Sequence, residues 1–373
     1  MNNTTPPRIF PVILAGGASS RLWPASDRER PKWDLRLFGG GQSLLEGAWS
    51  RGRALAQAAD CFVVAGQPQA PLIRRSLTGL PPANLLIEPE PRDTAGAIAY
   101  AAGAILRKTR QENFPPEKAV MLVLPGDHVI QDVARFGQIA QTGAQAAVEL
   151  SALVTLGILP RAPATCYGYI HRGAAVTLRD SNPKTPAVFN VIEFREKPDA
   201  PTAQEYVRGG QYYWNGGIFL WQLTTLLHEF SRQLPGHAAL ARELGAAEKP
   251  DEVLPRLFAP LKKISIDFGI MEHAAKVAVV AADFEWDDIG SWSAVAEHLE
   301  KTSGNAVGPG TRTVPLDATG NLVFAPGKRV ALVGVEGLVV VASGDEILVC
   351  RMDRDQDVKK VSQIANSDKP AGR

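Results

Sequence analysis

Short runs of residues that are apolar throughout recur along the first four-fifths of the chain. They lie at residues 9–14, 61–65, 85–87, 120–124 and 152–158. Stretches with helical periodicity separate them, such as 44–59 and 94–110. A strand with one wet face alternates apolar and polar side chains, whereas a strand covered on both faces does not. Uninterrupted apolar strands alternating with helices therefore predict an α/β domain whose mixed sheet is mostly parallel. The same texture continues with strands expected at 188–194, 213–221 and 277–281, and helices at 202–208 and 294–299.

The texture changes at residues 302–310, which are polar and glycine-rich. Short β-type runs follow at 321–325, 329–333, 338–342 and 347–351, divided by turns such as Pro326-Gly327 and Ser343-Gly344-Asp345. Two domains are expected, residues 1–302 and a small all-β domain of residues 303–373. The spacing of its runs, about ten residues, suits a barrel, a sandwich or a β-helix alike. The tail after Val361 is expected to fray. No internal repeat stands out.

Composition narrows the function classes. The chain has 373 residues, enough for two domains with buried cores. Its formal net charge of +1 gives no overall pull toward nucleic acid or an anionic membrane, so neither is an expected partner. Cys61, Cys166 and Cys350 are far apart and have no metal-type spacing, which fits a reducing, cytoplasmic setting. The first residues lack the basic-then-apolar order of a signal peptide. No run of about 18 apolar residues predicts a membrane span.

The first apolar run opens into Leu14-Ala15-Gly16-Gly17-Ala18-Ser19-Ser20-Arg21-Leu22-Trp23-Pro24, with Pro31-Lys32 following. Two glycines let backbone approach a ligand, and consecutive N–H groups can cradle phosphate oxygens. Arg21 can offer a fork of donors. A dinucleotide-binding loop needs G-x-G-x-x-G, and a P-loop needs Gly-Lys-Ser/Thr; this chain has neither. On its own the loop is equally well read as a tight strand-to-helix turn with a solvated arginine.

Residues 14–32 resemble the N-terminal motif of sugar-nucleotide pyrophosphorylases, and Arg21-Leu22-Trp23-Pro24 is similar to the mannose-1-phosphate guanylyltransferase branch. Further segments agree in order: Glu88-Pro89 with Arg92-Asp93-Thr94-Ala95, Leu124-Pro125-Gly126-Asp127-His128, Tyr167-Gly168-Tyr169-Ile170, Phe194-Arg195-Glu196-Lys197-Pro198, Trp214-Asn215-Gly216-Gly217-Ile218-Phe219, Ser265-Ile266-Asp267 and Trp286-Asp287-Asp288-Ile289-Gly290-Ser291-Trp292. The resemblance spans residues 8–300. It implies a Rossmann-like nucleotidyltransferase domain. Less sharply, the C-terminal region resembles the small, β-helix-like domain of the short, single-activity members, with no room for a cupin-type isomerase.

The implied reaction is attack by a sugar 1-phosphate oxygen on the α-phosphorus of GTP, with mannose 1-phosphate as the sugar. The nucleophile is already anionic, so the difficulty is to bring polyanions together and stabilise the leaving charge. The resemblance gives Arg21 and Lys32 the triphosphate and Lys197 the sugar phosphate. It brings Leu14, Ala15, Gly16 and Gly17 to the nucleotide through backbone, with the loop at residues 88–94, especially Pro89 and Thr94, over base and ribose. Glu196 and Asn215 become sugar-hydroxyl partners, and Gly168 leaves room for the sugar. Asp127 and Asp288 become Mg²⁺ ligands. From the residues alone, Asp127 reads better as a helix cap or Asx turn, and Asp288 has the alternative of capping the helix that starts near Ser291. His128 is read as loop packing.

Several positions depart from the family pattern: Ser19 for a glycine, Asp93 for an asparagine, and Gly96, Gly126 and Gly216 for larger residues. They bear on nucleotide affinity and base choice more than on reaction class. Two alternatives stay open: the same fold with another nucleotide or hexose 1-phosphate, and a non-catalytic nucleotide-sugar-binding regulator. Whether the β domain packs on its neighbour or makes a homodimer is also left open.

Overall fold

The computed structural model describes residues 7–17, 20–27, 29–179 and 181–367. The chain divides into two compact units. The first takes the residues up to Gly16, Ala48–Pro125 and Ile130–Trp286. The second takes Gly17–Gly47, Gly126–Val129 and the residues from Asp287 onward. The sequence texture puts a boundary near residue 303, whereas here the glycine-rich loop and residues 287–302 group with the C-terminal strands.

The first unit is built on a nine-stranded mixed sheet. Its strands are β1 (Arg8–Leu14), β2 (Phe62–Gly66), β3 (Leu85–Glu88), β4 (Ala119–Pro125), β5 (Leu153–Ile158), β6 (Gly168–Val176), β7 (Val188–Glu196), β8 (Tyr212–Gln222) and β9 (Val277–Ala282). Their order is β3-β2-β1-β4-β8-β5-β9-β7-β6, with β8 also pairing β6. β1 to β4 run parallel, and β5 pairs β9 in parallel. β8 lies antiparallel to β4, β5 and β6. The apolar runs have the expected reason: Phe10, Val12, Phe62, Val64, Met121 and Val123 are buried in one core with Ala95, Ile98, Ala102 and Ile105 of the helix Asp93–Gln111.

Parallel pairing brings the C-terminal ends of β1, β2 and β3 to one sheet edge, where open α/β sheets place ligands. β6 is absent from the strands expected by pattern. Its burial follows neither alternation nor a continuous run, because only Tyr169 and Ile170 are buried.

In the second unit Asn305–Val307, Leu322–Phe324 and Leu338–Ser343 stack in parallel, and Arg312–Leu316 pairs Arg329–Val333 in parallel. Partners such as Ala306 and Leu322, or Leu322 and Val339, follow one another coil by coil, which selects the β-helix-like option. A buried asparagine ladder ties the coils. Asn321 Nδ2 donates to Asn305 Oδ1 at 2.9 Å, and Leu338 N donates to Asn321 Oδ1 at 2.8 Å. Both amides thus satisfy each other and backbone that strand pairing leaves over.

The tail does not fray where expected. Residues Val358–Ser367 form a helix, packed on the Ser20–Leu22 turn. Val358 and Ser362 are buried and Ala365 packs on the same core, a helical spacing that a polar-looking tail conceals. That core also holds Leu22, Trp23, Leu37, Ile289 and Trp292.

Candidate active site

The apolar strand β1 ends at Leu14. Ala15 is buried, and its N–H donates to the Val64 carbonyl at 2.8 Å, so the chain stays in the sheet one residue longer. Gly16 and Gly17 are then exposed, and a Cβ built on either meets nothing within 4 Å. Gly17 has φ +96°, a backbone that L side chains rarely adopt. Exposed donors on open backbone are what a phosphate cradle requires. Ser19, the expected weak point of the motif, lies outside the described residues. In the next turn Leu22 is buried while Arg21 is exposed. The loop is anchored by Trp23, whose carbonyl accepts from Trp292 Nε1 at 3.1 Å.

Lys32 departs from the picture of a free surface cation. It is buried, and its ammonium donates to Asp127 Oδ2 at 2.7 Å and to the backbone carbonyl of Asp288. Three residues distant in sequence thus converge on one charge. Burial alone would push the Asp127 carboxyl up. The positive charge of Lys32 and its hydrogen bond, with His128 Nε2 3.8 Å away, outweigh burial and hold it below the usual carboxylate range. The capping alternatives go to other residues. Asp132 accepts from Arg135 N and caps the helix Val133–Leu150, and Ser291 caps the helix Trp292–Glu297.

The Asp288 turn carries strain. Ile289 is fully buried, β-branched and at φ +47°, which costs about 1–3 kcal/mol and needs support from its surroundings. Asp287 gives that support: its Oδ1 accepts from Ile289 N at 2.6 Å, and its Oδ2 lies 3.0 Å from His298 Nε2. Asp287 is therefore occupied in holding the turn. Around Gly290 an added Cβ would come within 3.2 Å of Asp288 Oδ1 and 3.5 Å of an Arg21 nitrogen. Glycine there keeps a carboxylate and a guanidinium on one small open space.

In the first unit the antiparallel strands assemble a second group. Gly168 opens β6 directly opposite Glu196, which ends β7. A Cβ on Gly168 would stand 2.5 Å from Glu196 Oε2 and 3.6 Å from Asn215 Cβ. The glycine is thus what lets these polar groups share one spot. Lys197 follows at φ +45°, exposed, with its ammonium 2.8 Å from Glu196 Oε1. Asn215 Nδ2 donates to Asp267 Oδ1 at 2.7 Å. Burial, opposed by that bond and reinforced by the negative charge of Glu196, raises the Asp267 carboxyl above its ordinary value. Asp267 is named in the sequence motifs without a role. Its signal is only its place after Ser265, which caps a one-turn helix and aims it.

Near the end of β3, Pro89 is exposed and Thr94 half-buried. Thr94 Oγ1 accepts from Ile266 N at 2.8 Å, so this hydroxyl fastens two loops together. Asp93 sits at φ +63°. Glu88, which opens the loop that the resemblance places over base and ribose, has its Oε1 buried with no hydrogen-bond partner among the described residues. Burial, with the charge of Asp93 added, pushes this carboxyl up to about 7.

A family model described as nucleotidyl transferase matches residues 10–304, and one described as a MannoseP isomerase/GMP-like beta-helix domain matches residues 311–363. The xanthan biosynthesis protein XanB of Xanthomonas campestris pv. campestris (strain B100) is 40% identical over 373 residues, spanning 98% of this chain and 74% of that protein. A mannose-1-phosphate guanylyltransferase of Escherichia coli is 37% identical over 362 residues, spanning 95% and 74%. The crystal structure of mannose-1-phosphate geranyltransferase from Thermus thermophilus superimposes with a TM-score of 0.83 at 35% identity, covering 96% of this chain and 99% of that one.

Proposed function

The chain belongs to the nucleotidyl transferase family, and on that premise we propose that it transfers the GMP moiety of GTP to α-D-mannose 1-phosphate, giving GDP-mannose and pyrophosphate. The observation that carries the reading is the convergence of the Asp127 carboxylate and the Asp288 backbone carbonyl on the buried ammonium of Lys32. The choice of GTP and mannose 1-phosphate is supported by the names of relatives that span most of this chain.

In the proposed reaction a phosphate oxygen of the sugar bonds to the α-phosphorus as the bond to the bridging oxygen breaks and pyrophosphate leaves. No proton need move. The protein supplies position and charge. Arg21, on the open loop, would take oxygens of the leaving pyrophosphate. Backbone at Leu14, Ala15, Gly16 and Gly17 would line the nucleotide, with Pro89 and Thr94 at base and ribose. Lys197 would hold the sugar phosphate. Glu196 and Asn215 would pair with sugar hydroxyls, which lets a buried polar site reject an epimer.

The residues fit a magnesium ion. Their donors are hard oxygens, and the Asp127 carboxylate, with the Asp288 backbone carbonyl, already meets one cation, the ammonium of Lys32. Among the described residues no cluster of three or more His, Cys, Asp or Glu side chains could hold a metal alone. Two aspartates therefore suit an ion that takes its remaining ligands from phosphate and water. Asp127 and Asp288 would hold it, and when bound it supplies charge neutralisation at the phosphates. Lys32 would then be released toward the triphosphate.

The test pairs GTP, ATP, UTP and dTTP with mannose 1-phosphate or glucose 1-phosphate in Mg²⁺ and reads pyrophosphate release. GTP with mannose 1-phosphate is expected to give the highest kcat/KM. Turnover of another pair with none of this one would overturn the proposal.

A further inference from the structure

Thr94 stands in the loop that the resemblance places over the nucleotide, yet the hydrogen bond its side chain makes leads to another segment. Its Oγ1 accepts from Ile266 N at 2.8 Å. Beside it Ala95 N donates to the Ile264 carbonyl at 3.2 Å, and Arg92 donates to the Ala259 carbonyl. The loop after β3 is thus bonded to residues 259–266. Ala95 N lies in the first turn of the helix Asp93–Gln111, and Ile266 N opens the one-turn helix Ile266–Gly269. Such N–H groups have no partner inside their own helix and must find one elsewhere.

Ser265 caps the short helix, but its Oγ takes Phe268 N, at 3.3 Å, and Ile266 N is left to Thr94. A single turn has no cooperative stability of its own, so what caps it decides where it sits. That turn carries Asp267. Its Oδ1 accepts from Asn215 Nδ2 at 2.7 Å, and Asn215 Oδ1 accepts from Gly217 N at 3.1 Å. The amide is therefore held at both its oxygen and its nitrogen, and these bonds set the direction of the second N–H on Nδ2. Thr94 is the far end of a run of contacts that finishes on the Asn215 amide.

We propose that Thr94 is a positioning residue for the hexose pocket, acting through Ile266 and Asp267 on the Asn215 amide. This rests on the reading of Asn215 as a partner of the sugar hydroxyls, and it adds the group that holds that partner in place from the loop after β3. What does the work is the hydroxyl as an acceptor. Valine has nearly the shape of threonine without that acceptor, and serine has the acceptor without the methyl group, so the two substitutions separate the hydrogen bond from packing.

The experiment measures KM for mannose 1-phosphate at saturating GTP, which removes any effect on nucleotide binding. It uses the full chain as wild type, Thr94→Val, Thr94→Ser, Asp267→Ala and the double variant Thr94→Val with Asp267→Ala. Thr94→Val is expected to raise this KM about 3- to 10-fold, the range of one net hydrogen bond, while Thr94→Ser stays within about twofold of wild type. A residue that acts only through Asp267 adds nothing once Asp267 is gone, so the double variant should match Asp267→Ala alone. Effects that multiply in the double variant overturn the proposal, because Thr94 would then act by another route. So does a rise in nucleotide KM alone in Thr94→Val, or a Thr94→Ser variant as impaired as Thr94→Val. Failure of wild type to use mannose 1-phosphate would strike the broader reading alone, and the same cycle is then run with the hexose 1-phosphate that wild type does turn over.

Discussion

Asp127 and Asp267 are the same residue type in two polar pockets, and their surroundings drive them in opposite directions. Asp127 has the ammonium of Lys32 on its carboxylate and is held ionised. Asp267 has the neutral amide of Asn215 on one oxygen and the negative charge of Glu196 nearby, and burial draws its carboxyl toward the protonated form. In the proposed reading the first arrangement would take a cation and, with it, phosphate, while Asp267 with Asn215 and Glu196 would take hydroxyls. What sets the two aspartates apart is the ammonium that sits directly on Asp127.

The comparison breaks most visibly at Gly168. In Gly168→Ala the new methyl collides with Glu196 Oε2, the far end of a flexible side chain, so Glu196 moves and the fold tolerates it. KM for the sugar phosphate should rise about 10- to 100-fold with the melting temperature nearly unchanged, since misplacing one positioning group costs about that much. KM for the nucleotide should stay put. Steady-state kinetics with each substrate varied in turn checks this, and an equal rise in both KM values would dissolve the distinction between the two pockets.

A smaller effect sharpens the electrostatic half. The Asp267 carboxyl is raised in the folded protein above its unfolded value of 3.8. Its folded form binds the proton more tightly, so this group's unfavourable contribution is absent below 3.8 and grows as pH rises through the raised value. Asn at 267 keeps the acceptor for Asn215 and has no charge to bury. Asp267→Asn minus wild type should therefore show a melting-temperature difference that becomes more positive, by a few degrees at most, from pH 3 to pH 7. Thermal melts at the two pH values read it directly. A difference that moves the other way would mean that Asp267, like Asp127, has a cation on it.

The two pockets also differ in how far they could be read from sequence. Gly168, Glu196 and Asn215 sit on strands, in motifs short enough to see, and strand register does the rest. Glu196 and Lys197 are neighbours in the chain, so their contact is local. Lys32, Asp127 and Asp288 are joined only by tertiary packing, and no spacing rule says that the lysine would be buried between the aspartates. The α/β alternation was legible because strands covered on both faces must be apolar throughout. β6 and the C-terminal helix were not, because each buries few residues and those are scattered among polar ones. Glu88 and Asp267 were in plain view within motifs. What marks them, burial without a donor for one and an amide partner for the other, exists only once the chain is folded.

The most direct test is Mn²⁺ binding followed by electron paramagnetic resonance in the presence of GTP, with wild type, Asp127→Asn and Asp267→Asn side by side. Loss of one carboxylate ligand is expected to weaken Mn²⁺ binding by Asp127→Asn about 10-fold or more, while Asp267→Asn binds as wild type does. Equal weakening in both variants, or loss only in Asp267→Asn, would contradict the assignment of the cation to the Asp127 pocket.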